Sequence, residues 1–136
     1  VHEGIAQWLR IDRPTEHDTV LLAVKPQIFP QIAPLIATAW SSGRGPVWAS
    51  VMAGIDTRRI QSAFGRSGAV VVRAMPNLPA RVGSGVTAIC GGEHAHQADV
   101  ARIRELFACV GPMVYDLPED QFDAFTAVAG SGPAYL

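Results

Sequence analysis

The sequence predicts an α/β protein built on a parallel sheet with helices on both faces. Three observations lead there. Continuous apolar runs of strand length recur, as over residues 19–24 and 69–74, and such runs read as strands buried on both faces. Segments of helical spacing stand between them, the alternation of an α/β fold with right-handed crossovers. The composition, 49% hydrophobic against 17% charged over 136 residues, supplies the apolar surface that one core needs and excludes a disordered chain.

The elements follow in order. Residues 2–9 have helical spacing, with Ile5, Trp8 and Leu9 on one side. Residues 19–24 form the first buried strand, which Pro26 ends. Residues 28–40 read as a helix with Ile32, Leu35, Ile36 and Ala39 on one face, although Pro30 and Pro34 oppose it. Residues 46–51 are a second strand. Gly54 turns the chain into Asp56, a good N-cap for a helix ending near Phe64. Residues 69–74 are a third buried strand, closed by the Met75-Pro76-Asn77 corner. A fourth strand covers residues 85–90. An amphipathic helix over 96–110 carries Val100, Ile103, Leu106 and Phe107. Residues 113–117 are a short fifth strand. Residues 118–129 form a helix with Phe122, Phe125 and Val128 on its apolar face. Gly130-Ser131-Gly132-Pro133 breaks it, because two glycines and a proline continue a helix poorly.

Several classes of function are excluded. Eleven Lys and Arg against twelve Asp and Glu leave a net charge of −1, which gives no electrostatic reason for a nucleic-acid or acidic-membrane partner. No run approaches about 18 apolar residues, so no membrane span is expected. The two cysteines, Cys90 and Cys109, form no C-x-x-C pair and read as buried thiols in a reducing compartment. No metal role is assigned to His94 and His96. Asp120 and Asp123 share a helix face, but Phe122 and Phe125 make that face a packing surface. No nucleophile elbow or P-loop is present. Function is therefore sought where ligands of such sheets bind, at the carboxyl ends of the strands. The loops there are Lys25-Pro26-Gln27, Met52-Ala53-Gly54 and Met75-Pro76-Asn77. Few ionisable groups stand in these motifs, which suits chemistry whose electrons come from a cofactor.

Three motifs then carry a resemblance. Leu21-Leu-Ala-Val-Lys-Pro-Gln27, Val72-Arg-Ala-Met-Pro-Asn-Leu-Pro-Ala80 with Val82-Gly-Ser-Gly-Val-Thr-Ala88, and Asp123-Ala-Phe-Thr-Ala-Val-Ala-Gly-Ser-Gly-Pro-Ala-Tyr135 stand in one order and register. Together they closely resemble the pyrroline-5-carboxylate reductase family, from about Thr19 to Leu136. Ala129 departs from the family's frequent Ser.

The resemblance implies a Rossmann-type doubly wound sheet followed by an all-helical dimerisation domain. Residues 1–117 would be a partial dinucleotide-binding domain and residues 118–136 the start of the helical one. It implies an NAD(P)H-dependent oxidoreductase that reduces the imine of L-1-pyrroline-5-carboxylate to L-proline, with NADPH or NADH. A cytoplasmic homodimer or higher homo-oligomer, with no nucleic acid, membrane or metal, completes the expectation. The family's glycine-rich turn belongs before Val1 and the rest of its helical domain after Leu136. The 136 residues are thus expected to be a middle segment, inactive alone, with residues 19–24 left as a bare apolar sheet edge. The alternatives are a non-catalytic nucleotide-binding module and a related imine reductase or hydroxyacid dehydrogenase. The last usually carries a catalytic lysine on the interdomain helix, and residues 118–135 contain none.

By the same resemblance, Ala23, Val24, Lys25 and Pro26 line the cofactor's ribose and nicotinamide. Val51, Met52 and Ala53 let backbone approach the cofactor closely. Asn77 can donate and accept at one place, which suits an amide or a substrate carboxylate. Arg81 reads as a solvated loop arginine. Glu119 is a candidate substrate contact at a helix start. Ser131 and Gly132 form the carboxylate-binding corner, with Ser131 as N-cap and Pro133 in the first turn of the next helix. No catalytic side chain is assigned.

Overall fold

The computed structural model describes residues 15–40, 44–65 and 68–130. Its centre is a five-stranded sheet in the order β1-β2-β3-β4-β5, which is also chain order. The strands are β1 (Thr19–Leu22), β2 (Val47–Ser50), β3 (Val71–Pro76), β4 (Val86–Gly91) and β5 (Met113–Asp116). The helices are α1 (Phe29–Ala39), α2 (Thr57–Ala63), α3 (Gln97–Ala108) and the single turn α4 (Phe122–Phe125). The helix expected over 2–9 lies outside the described residues.

β1, β2 and β3 are parallel, with Leu22, Ser50 and Arg73 in one row. β4 runs antiparallel to β3, and β5 is parallel to β4. The sheet is therefore mixed rather than wholly parallel. The cause is loop length. A parallel return needs a crossover of a dozen or more residues, and β3 is joined to β4 by nine residues whose only regular structure is the 3₁₀ turn Leu78–Val82.

One face of the sheet is covered by α1 and α2, which pack Phe29, Ile32, Ala33, Ile36, Trp40, Ile60 and Phe64 on Leu22, Trp48 and Val71. Phe122 of α4 extends that layer onto Met75 and Ala88. α3 covers the other face, with Ile103 and Phe107 on Val47, Ala49, Val72 and Ile89. Alternation along the strands sorts the residues between the two faces.

α1 forms despite its two prolines. Pro30 stands in the first turn, where an N–H has no helical partner. Pro34 removes one internal bond, and burial of Ile32, Ala33 and Ile36 outweighs it. Leu35 and Leu106 are exposed, because the buried stripes run through their neighbours Ile36 and Phe107. The expected helix over 118–129 is three pieces: a 3₁₀ turn (Glu119–Gln121), α4, and a π-turn (Thr126–Gly130) that leaves Val128 exposed. The Thr126 hydroxyl donates to the Phe122 carbonyl at 2.7 Å, a side-chain bond that competes with regular helix. Asp56 caps α2 as its chemistry requires, accepting from the Arg59 N–H at 2.7 Å.

β1 is an edge strand among the described residues. Its Val20 and Leu22 face α1 and α2, but Leu21, on the opposite face, is 48% exposed. The strand expected to be buried on both faces is thus covered on one.

Candidate active site

The carboxyl ends of β1, β2 and β3 lie side by side at one edge of the sheet. In the row after Leu22, Ser50 and Arg73 come Ala23, Val51 and Ala74, and the Val51 N–H donates to the Leu22 carbonyl at 3.2 Å. β3 continues to Pro76 because β4 pairs with it, so Asn77 emerges farther out at the same end. The three motif loops therefore share one end of three adjacent parallel strands.

After β1, Ala23 and Lys25 are exposed, Pro26 is half-buried and Val24 leans on the core. Lys25 has no ion-pair partner among the described residues. The Lys25 and Pro26 carbonyls accept from the Ile28 and Phe29 N–H groups, which turns the chain into α1 without a side-chain cap.

The loop after β2 is held from within. The Ser50 hydroxyl accepts from the Met52 N–H at 3.3 Å, and Arg59 Nη1 donates to the Gly54 carbonyl at 3.1 Å. Gly54 has a φ of +69°, in the region that favours glycine. Ala53 is exposed and Val51 half-buried. Met52 is buried in the core with Leu22 and Ile55, so its side chain belongs to packing and only its backbone faces the loop.

Asn77 joins the two ends of the β3–β4 connection. Its Oδ1 accepts from the Val86 N–H at 2.9 Å and its N–H donates to the Val86 carbonyl at 3.2 Å. Its Nδ2 has no partner among the described residues. Arg81 is exposed in the 3₁₀ turn, as expected.

Glu119 has a different place from the one its sequence position implies. Its Oε2 accepts from the Thr57 N–H at 3.1 Å and the Thr57 hydroxyl at 2.9 Å. Its Oε1 accepts from Arg73 Nη1 at 2.5 Å. Both oxygens accept from protein donors, so the carboxylate braces three elements. Arg73 itself is 2% exposed, with its guanidinium 4.6 Å from the Phe122 ring centroid. Sequence reasoning assigned no role to Arg73 or Thr57. The signal was a charged residue inside the apolar run 69–74, since a buried cation requires a counter-charge. Ser131 and Gly132 lie outside the described residues.

Cys90, opposite Arg73 in the β3–β4 pairing, is half-buried, and Cys109 is exposed; both are free thiols. Neither is fully buried, because Cys90 sits near the strand's end and Cys109 caps α3 on its solvent side. Burial first, and the Glu119 carboxylate second, push the Cys90 thiol up from its ordinary value. At neutral pH Cys90 is thus held as the unreactive thiol. A maleimide is expected to label Cys109 well before Cys90, as read by peptide mass mapping; equal rates would contradict the burial assigned to Cys90. Among the described residues no three His, Cys, Asp or Glu side chains are grouped to hold a metal, and no helix is long and apolar enough to cross a membrane.

No protein-family model matches the chain. Individual proteins do. The pyrroline-5-carboxylate reductase of Synechocystis is 39% identical over 119 residues, which are 88% of this chain and 42% of that protein. The enzyme of the same name from Thermus thermophilus is 44% identical over 124 residues, 88% of this chain and 43% of that protein. The Plasmodium falciparum pyrroline carboxylate reductase, solved with NADP bound, superposes with a TM-score of 0.80 at 26% identity, covering 96% of this chain and 46% of that one. A Coxiella burnetii pyrroline-5-carboxylate reductase superposes at 0.78 with 31% identity, covering 87% and 43%. The chain spans less than half the length of these relatives. By the sequence of its motif loops and by the sheet that gathers them, the chain belongs to the pyrroline-5-carboxylate reductase family, as a partial segment of it.

Proposed function

We propose that this segment carries the dinucleotide-facing part of a reductase that converts L-1-pyrroline-5-carboxylate to L-proline. The observation that carries the reading is the gathering of the β1, β2 and β3 loops at one sheet end, in a chain this similar to named reductases. The residues suit a dinucleotide. Ala23, Ala53 and Gly54 are small and exposed, so backbone can approach a ligand closely. The Lys25 ammonium is exposed and has no ion-pair partner among the described residues, which suits a phosphate or ribose oxygen. Ala23, Val24, Lys25 and Pro26, with Val51, Ala53 and the Met52 backbone, would hold the cofactor. A bound reduced nicotinamide supplies the hydride that the imine carbon takes up. Asn77 orients its neighbour in the site through Nδ2, which has no partner among the described residues, while its Oδ1 keeps the β3–β4 loop closed. The Ser131–Gly132 corner receives the substrate carboxylate, and residues 118–136 begin the helical dimerisation domain. The protein acts in the cytoplasm as a homo-oligomer, and its free thiols support a reducing compartment.

The test is oxidation of NADPH and of NADH with pyrroline-5-carboxylate, followed by absorbance, using the longest polypeptide that carries these residues. Imine-dependent turnover is expected. The 136 residues alone are expected to give none, being less than half of their relatives. Lys25→Met is expected to raise the Michaelis constant for the dinucleotide about twofold to fivefold, the size of one exposed charge contact, and to leave that for the imine unchanged. Dinucleotide binding without turnover in the longer polypeptide would favour a non-catalytic nucleotide-binding module.

A further inference from the structure

Arg73 is the only buried cation among the described residues. A guanidinium in the interior of a sheet is strongly unfavourable unless a counter-charge accompanies it. Glu119 supplies that charge from 46 residues away in the sequence. Asp123 is 3.8 Å from Nη2 and mostly exposed, and among the described residues Nε and Nη2 have no hydrogen-bond partner. Neutralisation therefore falls on Glu119, with the Phe122 ring adding a cation–π contact.

A counter-ion alone would need only the Arg73 contact. Glu119 instead divides its oxygens, one to Arg73 on β3 and one to Thr57 at the start of α2. Thr57 opens α2 three residues after Gly54 of the cofactor-facing loop of β2, and Asp56 between them caps that helix by accepting from the Arg59 N–H. Arg73 stands four residues before Asn77 on β3. Glu119 opens the segment that runs through α4 to Gly130, beside Ser131 and Gly132. One carboxylate thus joins the loop that faces the dinucleotide, the strand that leads to Asn77, and the segment that leads to the carboxylate corner.

We infer that Glu119 is a positioning residue, which through Thr57 and Arg73 sets the distance between the dinucleotide and the substrate. The inference rests on the proposed reductase function. Hydride transfer depends steeply on the separation of donor and acceptor carbons, and a displacement near 1 Å costs about a hundredfold in such reactions. Removing the brace should therefore be felt in turnover even where the fold survives.

Two variants of the longest available polypeptide test this. Thr57→Val deletes only the hydroxyl bond to Glu119 and leaves the Arg73–Glu119 charge pair intact. It is expected to raise the Michaelis constant for the dinucleotide severalfold, with that for the imine unmoved; unchanged constants for both would overturn the inference. Arg73→Met combined with Glu119→Leu removes cation and counter-ion together, so no lone charge is left buried. Its unfolding midpoint is expected to stay near the parent's while kcat falls about tenfold or more. A kcat equal to the parent's in this folded double variant would reduce Glu119 to a counter-ion. Amide hydrogen exchange separates this from the functional reading. If the parent reduces no imine, that reading falls, and the brace is judged by whether residues 51–57 and 118–130 lose protection together in the double variant. Retained protection in either segment would overturn it.

Discussion

Trp48→Ala is expected to lower the unfolding free energy by about 3–5 kcal/mol, the cost of truncating a large buried aromatic. Trp48 is fully buried on β2. Its ring centroid is 4.9 Å from that of Phe64 and 5.9 Å from that of Trp40, so it ties α1 and α2 to the same strand. The indole Nε1 has no hydrogen-bond partner among the described residues, so the loss is one of packing, and Trp48→Phe should cost far less. Urea unfolding checks this: the midpoint should fall with the slope unchanged. The same cluster holds Leu22 and Met52, at the roots of the two loops proposed to hold the dinucleotide. Dinucleotide affinity should weaken in parallel with stability. A loss below about 1 kcal/mol would mean that the cluster repacks around the void.

Gly111→Ala is expected to destabilise by about 3 kcal/mol or more, at the upper end of overpacking costs. A Cβ at this position would meet the Gly85 carbonyl oxygen at 2.0 Å and the Gly85 nitrogen at 2.5 Å. The obstacle is backbone, which cannot swing away as a side-chain tip can. Retreat would break the bond from the Gly85 N–H to the Val110 carbonyl, now 3.1 Å. It would also disturb the adjacent Val86, whose N–H is held by Asn77 Oδ1. Thermal unfolding should therefore show a large drop, and the Michaelis constant for the imine should rise in whatever fraction folds. Gly54→Ala is the contrast. Nothing among the described residues lies within 4 Å of a Cβ there, so the positive φ is what opposes it, at about 1 kcal/mol. Equal effects at the two glycines would show that close approach at Gly111 is not the governing term.

The part of the structure legible in the sequence is the part written in local chemistry. Apolar runs of strand length mark all five strands to within a few residues. Asp56 announces the start of α2 because a carboxylate accepts backbone N–H groups at a helix start. The loops after β1, β2 and β3 come together at one sheet end, because parallel strands expose their carboxyl ends in one direction. The motif residues themselves identify the family.

Only the tertiary structure decided what depends on partners distant in sequence. The reversal of β4 follows from how far nine residues can reach once β3 is in place. The exposure of Leu21 follows from which face of β1 meets a helix, and apolar content cannot say that. Met52 reads as a loop residue and is a core residue, because the chain turns inward there before Ala53 emerges. Glu119 shows the difference most plainly. A carboxylate at a helix start suits a ligand, a cap or an ion pair equally well, and its sequence neighbours do not choose among them. The choice is made by Thr57, 62 residues before it, and Arg73, 46 residues before it. A buried guanidinium draws a carboxylate from wherever the fold can bring one, and that is a property of the assembled molecule.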